Sequence, residues 1–491
     1  MEAFKNILET VNGLVWGSAD SLIGPIDYPP VLMLLLGTGL FLTVRLGFMP
    51  IRKIPYAFGQ LFSKKHNQDE GDVTPFGALM TALSSTIGTG NIAGVAVAIA
   101  IGGPGAVFWM WMTALVGMAS KYAEGLLALK YRETDAAGRH VGGPMYYIKN
   151  GMGSKWTWLG VLFAVFGVLA AWGTGASIQA NSIADALNAN YSIAPWISGL
   201  VLAGAAAAVI LGGITRIAAV AEKLVPAMAI SYLVAGLIVV GINAPEVPHA
   251  FMRIVTNAFG FKEASTGITV GLMLLAMQKG VARGIFSNEA GQGSAPIAHA
   301  AARNNDPVNQ GVVAMLGTFI DTIVVCSITA FVILTAGVIP EACEPFVRPD
   351  LISLPEGLGC ETGAPLTVNA FEKALPGLGS HIVAIGLVVF GFTTILGWSY
   401  YGERCCEFLF GEKSIFLFKL SWIAVVFGGA SVLMLEEGGG VADVVSLFWL
   451  VADTLTGLMA APNLIALIVL SPIVAAMTKA YFDKEKASAK K

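Results

Sequence analysis

The stretch Leu83-Ser84-Ser85-Thr86-Ile87-Gly88-Thr89-Gly90-Asn91-Ile92 lies near the middle of an apolar run from 75 to 101. Gly88 and Gly90 bracket Thr89, and each glycine costs about 1 kcal/mol relative to alanine in a helix interior. The run therefore reads as a spanning helix broken at its centre. Unwinding frees N–H groups at the start of the second half-helix, where the positive dipole end suits a carboxylate. Carbonyls ending the first half suit a small cation or an ammonium. Ser84, Ser85, Thr86 and Asn91 add the neutral oxygens that a hard monovalent cation needs once it sheds water. The competing reading is that the glycines permit close helix packing, but the polar density exceeds what packing requires.

Composition sets the setting for that break. Of 491 residues, 55% are hydrophobic and 12% are charged, half the share of about 25% in an average soluble protein. A soluble fold of this length would expose more surface than 29 basic and 32 acidic residues cover. A net charge of −3 also argues against nucleic acid as a partner. What remains is an all-α polytopic membrane protein, because the apolar runs are continuous rather than alternating as in a barrel. The five cysteines form no metal or redox spacing. Cys343 and Cys360 can be bridged only if their loop is extracytoplasmic. The N-terminus does not read as a cleavable signal peptide.

A spanning helix takes about 20 mainly apolar residues. Spans fall near 28–48, 75–101, 104–128, 158–179, 196–214, 222–242, 266–290, 311–338, 380–401, 415–434 and 462–481, eleven in all. Segment 443–460 is apolar enough to span but carries Asp443 and Asp453; it reads as interfacial or re-entrant. Lysine and arginine collect in alternate loops, including Arg45 to Lys65, Lys130 to Lys155 and the tail from Lys479 to Lys491. By the positive-inside rule this places the N-terminus outside and the C-terminus in the cytoplasm.

The seventh span is the counterpart of the second. It reads Met277-Gln278-Lys279-Gly280 through Arg283 and Glu289 to Gly291, again glycine-rich, five spans further on. A five-helix unit begins its second copy on the opposite side of the membrane, so the copies are inverted. Paired glycine-interrupted spans point to a transporter's binding site. The divisions predicted are 1–74 (extra N-terminal span and loop), 75–242 and 266–481 (the two repeats), and 482–491 (basic tail). Met277, Gln278 and Gly280 sit near the midplane and can flank a small substrate. Lys279, Arg283 and Glu289 face protein, water or the interface, since each costs about 2.5–3.5 kcal/mol toward lipid. Arg283 and Glu289 then belong to a cytoplasmic gate or a structural ion pair.

Thr393 and Thr394 are adjacent hydroxyls in an otherwise apolar span, and Trp398 shares the face of Thr394 one turn on. Such threonines often bond only their own backbone; beside two broken helices, cation ligation is the better reading. Gln179 lies toward the outer mouth as a gate or a helix-end cap. Glu124 beside Lys121 reads as an ion pair, and His299 as a satisfied interfacial residue. No P-loop, nucleophile elbow or zinc-protease signature appears, so the sequence predicts no enzyme, no ATP and no organic cofactor. Transport is then driven by a gradient.

Gly88-Thr-Gly-Asn-Ile-Ala-Gly-Val95, Gly102-Gly-Pro-Gly-Ala-Val-Phe-Trp-Met-Trp111 and Phe286-Ser-Asn-Glu-Ala-Gly-Gln-Gly-Ser294 closely resemble the alanine or glycine:cation symporter family. Gly142-Gly-Pro144 and Asn463 after Ala461-Pro462 are similar too, and the match runs from about 28 to 482. The resemblance implies the leucine-transporter-like inverted repeat of the amino-acid–polyamine–cation superfamily. It also implies sodium-coupled uptake of alanine or glycine across the plasma (inner) membrane. It puts Na⁺ between the carbonyls of Ser84 and Ile87 and the oxygens of Thr393 and Thr394. It puts the substrate carboxylate on amides around Thr89 and Gly90, and the ammonium near Thr86 and the carbonyls around Met277. Gly280, Thr394 and Trp398 would shape the side-chain pocket. Asn91 falls where some relatives of that fold hold a second sodium.

Three rivals remain on the sequence. A channel needs a polar path through one conformation, whereas polar residues here cluster at two breaks. An intramembrane enzyme lacks a nucleophile–base pair. Proton coupling is disfavoured because the expected cation site carries no buried carboxylate.

Overall fold

The computed structural model describes residues 2–16, 29–63, 69–260, 268–340, 361–436 and 442–488. Cys343 and Cys360 lie outside the described residues, so their pairing does too. Cys326, Cys405 and Cys406 are buried free thiols.

The chain folds as a helical bundle, and among the described residues the one small sheet is the antiparallel hairpin of Glu133–Thr134 and His140–Val141. By length and apolar composition, six of the described helices can cross a bilayer: Ser154–Tyr191, Gly213–Ile242, Pro307–Ala336, Gly379–Phe410, Ser414–Ser431 and Leu450–Ser488. Helices Pro75–Thr86 and Gly90–Gly102 together make a seventh, bent by 55°. Large apolar side chains such as Val201, Ile230, Leu237 and Leu417 are exposed on its outside, as a surface solvated by lipid requires.

The first break forms as its sequence predicts. Pro75 opens the helix, and the Thr74 hydroxyl caps it by accepting from the Gly77 amide. The α-helix ends where Ile87 turns to an extended conformation, and after Thr89 the chain re-enters through a π-helical turn, Gly90–Gly94.

The second break lies at the far end of the glycine-rich stretch 277–291. Helix Ile268–Asn288 runs unbroken through Gly280 and Gly284. The chain breaks at 289–294, where Glu289, Gly291 and Gly293 all have positive φ, before helix Ala295–Ala300. Gly280 and Gly284 serve packing instead. A Cβ at Gly280 would lie 2.2 Å from the Ala106 carbonyl oxygen, and one at Gly284 2.3 Å from the Thr113 hydroxyl. These glycines let the helix lie against Gly105–Lys130, the central helix, which also packs along Pro307–Thr318.

The segment 443–460 is likewise not a separate short element. It is continuous with the following span in one helix, Ala442–Ser488, of 47 residues. At 1.5 Å per residue that is about 70 Å, more than twice the hydrocarbon thickness.

At one end of the bundle the two broken segments are tied together. Asp72 and Val73 amides donate to the Ala301 carbonyl (2.8 and 3.1 Å), and the Arg303 amide donates to the Val73 carbonyl (2.7 Å). The start of the first broken span thus meets the chain that follows the second.

Candidate functional site

The break at 87–90 is met by residues from three other elements. On helix Gly379–Phe410, Thr394 packs directly on Gly88: a Cβ there would lie 2.6 Å from the Thr394 hydroxyl. One turn on, a Cβ at Gly397 would lie 2.7 Å from the Ser84 hydroxyl, so the two helices touch closely along the expected cation site. Gln179 is buried and accepts from the Thr89 hydroxyl at 3.3 Å. It therefore reaches the break itself rather than an outer mouth. From the second broken span, the ring of Phe286 and the backbone of Ser287 face Gly90.

The expected cation ligands are all buried, and they divide between two neighbours. The Thr394 hydroxyl faces Gly88, whereas the Thr393 hydroxyl lies 3.5 Å from Met228 Sδ. Both donate to the Phe390 carbonyl, at 3.0 and 2.9 Å, and Ser84 donates to the Thr81 carbonyl at 2.7 Å. Thr86 shares its hydroxyl between the Ala82 and Leu83 carbonyls, both at 3.3 Å. Ile87 is fully buried at the helix end. A hydroxyl that donates to its own backbone still offers lone pairs, so these bonds leave the oxygens able to meet a cation.

Three of the expected substrate residues stand elsewhere. Gln278 donates to the Trp16 carbonyl at 3.0 Å. Gly280 is packed against Ala106 and Trp109, and Met277, half-buried, packs against the apolar core. Because their helix continues through them, they lie about nine to twelve residues, or roughly 13–18 Å, short of the break. Phe286 and Ser287 occupy the place expected of them. Arg283 stacks on Phe286, its guanidinium carbon 5.8 Å from the ring centre.

Trp398 is held from two sides. Its indole N–H donates to Glu289 Oε1 at 2.9 Å, and Gly175, in the π-helical turn Ala171–Ser177, lets its Cβ approach: a Cβ at Gly175 would be 2.3 Å away. Glu289 also accepts from the Ser294 hydroxyl. Among the described residues Glu289 forms no direct ion pair, and through Trp398 it is joined to the candidate pocket wall.

Two buried carboxylates lie near the break, although neither bonds an expected cation ligand. Glu289 is one. Asp321, fully buried in the π-helical turn Phe319–Cys326, is the other, accepting from Asn91 Nδ2 at 2.7 Å. Asp321 stands as a lone acid inside the apolar run 311–338. An ionisable residue in a span is a functional candidate by default, so the signal was present in its own segment. What no segment shows is that Asp321 lies beside Asn91.

Glu124 is not paired with Lys121. It accepts from Asn463 Nδ2 at 2.7 Å and from the Gly293 amide at 3.2 Å. Asn463 also donates to the Gly291 carbonyl at 2.9 Å and accepts from the Tyr147 hydroxyl. The second break is thus clasped between helices Gly105–Lys130 and Ala442–Ser488. His299 is buried rather than interfacial, with Nδ1 2.8 Å from Gln310 Nε2.

At the hairpin end, Asp135, Glu407 and Glu412 have carboxylate oxygens within 4.8 Å of one another, close enough to hold a metal. Two guanidinium groups already answer that charge: Arg139 bonds Asp135 at 2.6 Å, and Arg404 bonds Glu407 at 2.6 Å. Burial alone would raise the Asp135 carboxyl. The Arg139 amide and guanidinium outweigh it and hold the group below the usual aspartate value.

Comparison with known proteins identifies the family. The model of the sodium:alanine symporter family matches residues 1–491. The chain is 48% identical over 490 residues to the sodium/alanine symporter AgcS of Methanococcus maripaludis, covering 99% of each chain. It is 45% identical over 485 residues to an uncharacterized transporter of Haemophilus influenzae, covering 98% of this chain and 97% of that one. Among solved structures, MhsT in complex with L-phenylalanine superposes with a TM-score of 0.53 at 13% identity, covering 83% of this chain and 98% of that one. A manganese transporter of Eremococcus coleocola does so with a TM-score of 0.51 at 14% identity, covering 82% and 80%. Those two likenesses establish a shared fold. With the matching family model and relatives of full length, the chain belongs to the sodium:alanine symporter family, a family of multi-pass membrane transporters.

Proposed function

We propose that the protein is a sodium-coupled secondary symporter that imports small neutral amino acids, alanine and glycine, by alternating access. The observation that carries this reading is the break at 87–90, with Thr394 on Gly88 and Phe286 over Gly90. The first amides of the half-helix beginning at Gly90 lack intrahelical partners and suit a substrate carboxylate. Ser84, Ile87, Thr393 and Thr394 supply oxygens for Na⁺. Thr86, Thr89, Gly90, Thr394 and Trp398 line the substrate, with Phe286 in place of Met277, Gln278 and Gly280. Gln179, Arg283 and Glu289 move with the gates. The name of the M. maripaludis relative, a sodium/alanine symporter at 48% identity, supports both cargoes.

The divisions 1–74, 75–242, 266–481 and 482–491, with inverted five-helix repeats and about eleven spans, belong to this reading. So do a plasma-membrane location, an outside N-terminus and a cytoplasmic C-terminus. The pairing of Asp72–Val73 with Ala301–Arg303 supports inversion, because it brings the start of one broken span to the end of the other. Sodium favours the outward-open state, so it raises amino-acid affinity, and the amino acid raises sodium affinity by the same factor.

Proton coupling is the second reading, and Asp321 and Glu289 favour it, since a buried carboxylate can carry a proton. Uptake of labelled alanine and glycine into proteoliposomes separates the two. Sodium coupling requires accumulation under an inward sodium gradient, but not under an equal potassium gradient, with a protonophore present. Accumulation driven by an imposed pH gradient without sodium would replace sodium with protons. No accumulation of any amino acid in a broad panel would sink both.

A further inference from the structure

Asp321 receives more hydrogen bonds than an incidental buried acid needs. Asn91 Nδ2 donates to its Oδ1 at 2.7 Å, while the Ser287 and Thr322 hydroxyls donate to its Oδ2 at 2.8 and 2.7 Å. Among the described residues no lysine or arginine is ion-paired to it. The charge is satisfied by neutral donors alone, and each donor belongs to a segment with its own constraint.

Asn91 lies in the turn after the first break. Its amide orientation is settled by chemistry: Oδ1 accepts from the Gly88 N–H at 2.8 Å, so Nδ2 must face Asp321. Ser287 comes two residues before Glu289, where the second break begins, and also accepts from Asn91 Nδ2 at 3.0 Å. Asn288 donates to the Thr322 hydroxyl at 3.1 Å. The order of donation is then Gly88 N–H to Asn91 and Asn91 to Asp321, with the Ser287 hydroxyl also donating to Asp321. The π-helical turn Phe319–Cys326 widens the helix Pro307–Ala336 at the point where this carboxylate enters, and such turns recur at functional sites.

We infer that Asp321 is a positioning residue for transport: through Asn91 and Ser287 it holds the two helix breaks in register. By directing Asn91 onto the Gly88 amide, it removes Gly88 as a ligand donor and leaves the Thr89 and Gly90 amides to face the substrate. By gripping Ser287, it sets the distance from that face to Phe286. The inference rests on the reading of the protein as an amino-acid symporter.

Asp321→Asn tests it, because the new amide presents N–H where Ser287 or Asn91 must also donate. Hydrogen bonds to charged groups contribute about 1.5–3 kcal/mol, so the amino-acid concentration for half-maximal uptake should rise on the order of tenfold or more. The maximal rate should change far less. The swap Asn91→Asp with Asp321→Asn restores a donor–acceptor pair across the gap and an acceptor for Gly88; it should recover most of the lost affinity. Half-saturation unchanged in Asp321→Asn overturns the inference. An impaired single variant that the swap does not rescue assigns the effect to charge alone and overturns it as well. Hydrogen exchange on the purified protein adds a readout free of transport: residues 87–92 should exchange faster in Asp321→Asn, and Ser414–Ser431 should not. Equal exchange at 87–92 overturns the positioning role whatever uptake shows. Wild-type protein inactive toward every amino acid sinks the proposed function, and exchange still decides the role of Asp321.

Discussion

At the residue scale, identical chemistry acquires different meaning from its neighbours. Thr394 packs on the broken helix with its hydroxyl over Gly88, where the proposed function has it ligate sodium. Thr394→Ala should raise the sodium concentration for half-maximal uptake on the order of tenfold, the value of one hydrogen bond of about 1.4 kcal/mol. Uptake with unaltered sodium dependence would rule out this cation site. Trp398 depends on Glu289, and removing the acceptor leaves a buried indole N–H unpaired at a cost of about 1–3 kcal/mol. Glu289→Ala should therefore weaken amino-acid binding several-fold, while Glu289→Gln, which keeps an acceptor, should weaken it less. Equal effects of the two in a binding titration would contradict the bond's importance. Gly280 was legible as a special glycine, but its purpose was not. Its missing Cβ makes room for the Ala106 carbonyl, so Gly280→Leu should lower the thermal midpoint, as overpacking by about 1–3 kcal/mol does. A stable Gly280→Leu protein that took up glycine but rejected alanine would restore Gly280 to the pocket.

At the element scale, breaks and turns do the work that single side chains cannot. The first break was readable because every cause of it is local: two glycines, and hydroxyl groups that compete for backbone partners. The second could be assigned only to the stretch 277–291, because Gly280, Gly284 and Gly291 look alike in sequence. Only the neighbouring helix Gly105–Lys130 shows that the first two pack and the last turns. The π-helical segments at 171–177 and 319–326 left no sequence mark that was recognised. The hairpin of Glu133–Thr134 and His140–Val141 offers a pH test. Asp135 is held below the usual aspartate value, so its contribution is complete above the unfolded value of about 3.9. It is lost as pH falls through the lower folded value. A fluorophore on Ala137→Cys should keep its anisotropy down to about pH 4 and lose it below that; a loss already under way near neutral pH would contradict the Asp135–Arg139 tether.

At the scale of the whole molecule, the scarce charge marks both topology and function. Basic residues in alternate loops announced a multi-pass protein, and long motifs around 88–95, 102–111 and 286–294 carried the family. Yet three carboxylates, Glu124, Glu289 and Asp321, are buried inside with Lys121, and no ion pair joins them to it among the described residues. Such an interior favours a cation, so sodium should stabilise the purified protein beyond what potassium does. Binding at 100 times its dissociation constant adds about 2.7 kcal/mol, readable as a higher thermal midpoint; equal midpoints in the two salts would argue against a resident sodium site. The sequence by itself determined the membrane class, the first broken span and the polar groups at it, because length, hydropathy and glycine act within one segment. Only the tertiary structure decided which residues face that break, that Asp321 meets Asn91 across 230 positions, and which glycines pack or turn. Those outcomes depend on the side chains of other helices, and no local pattern encodes the partner a buried polar group will find.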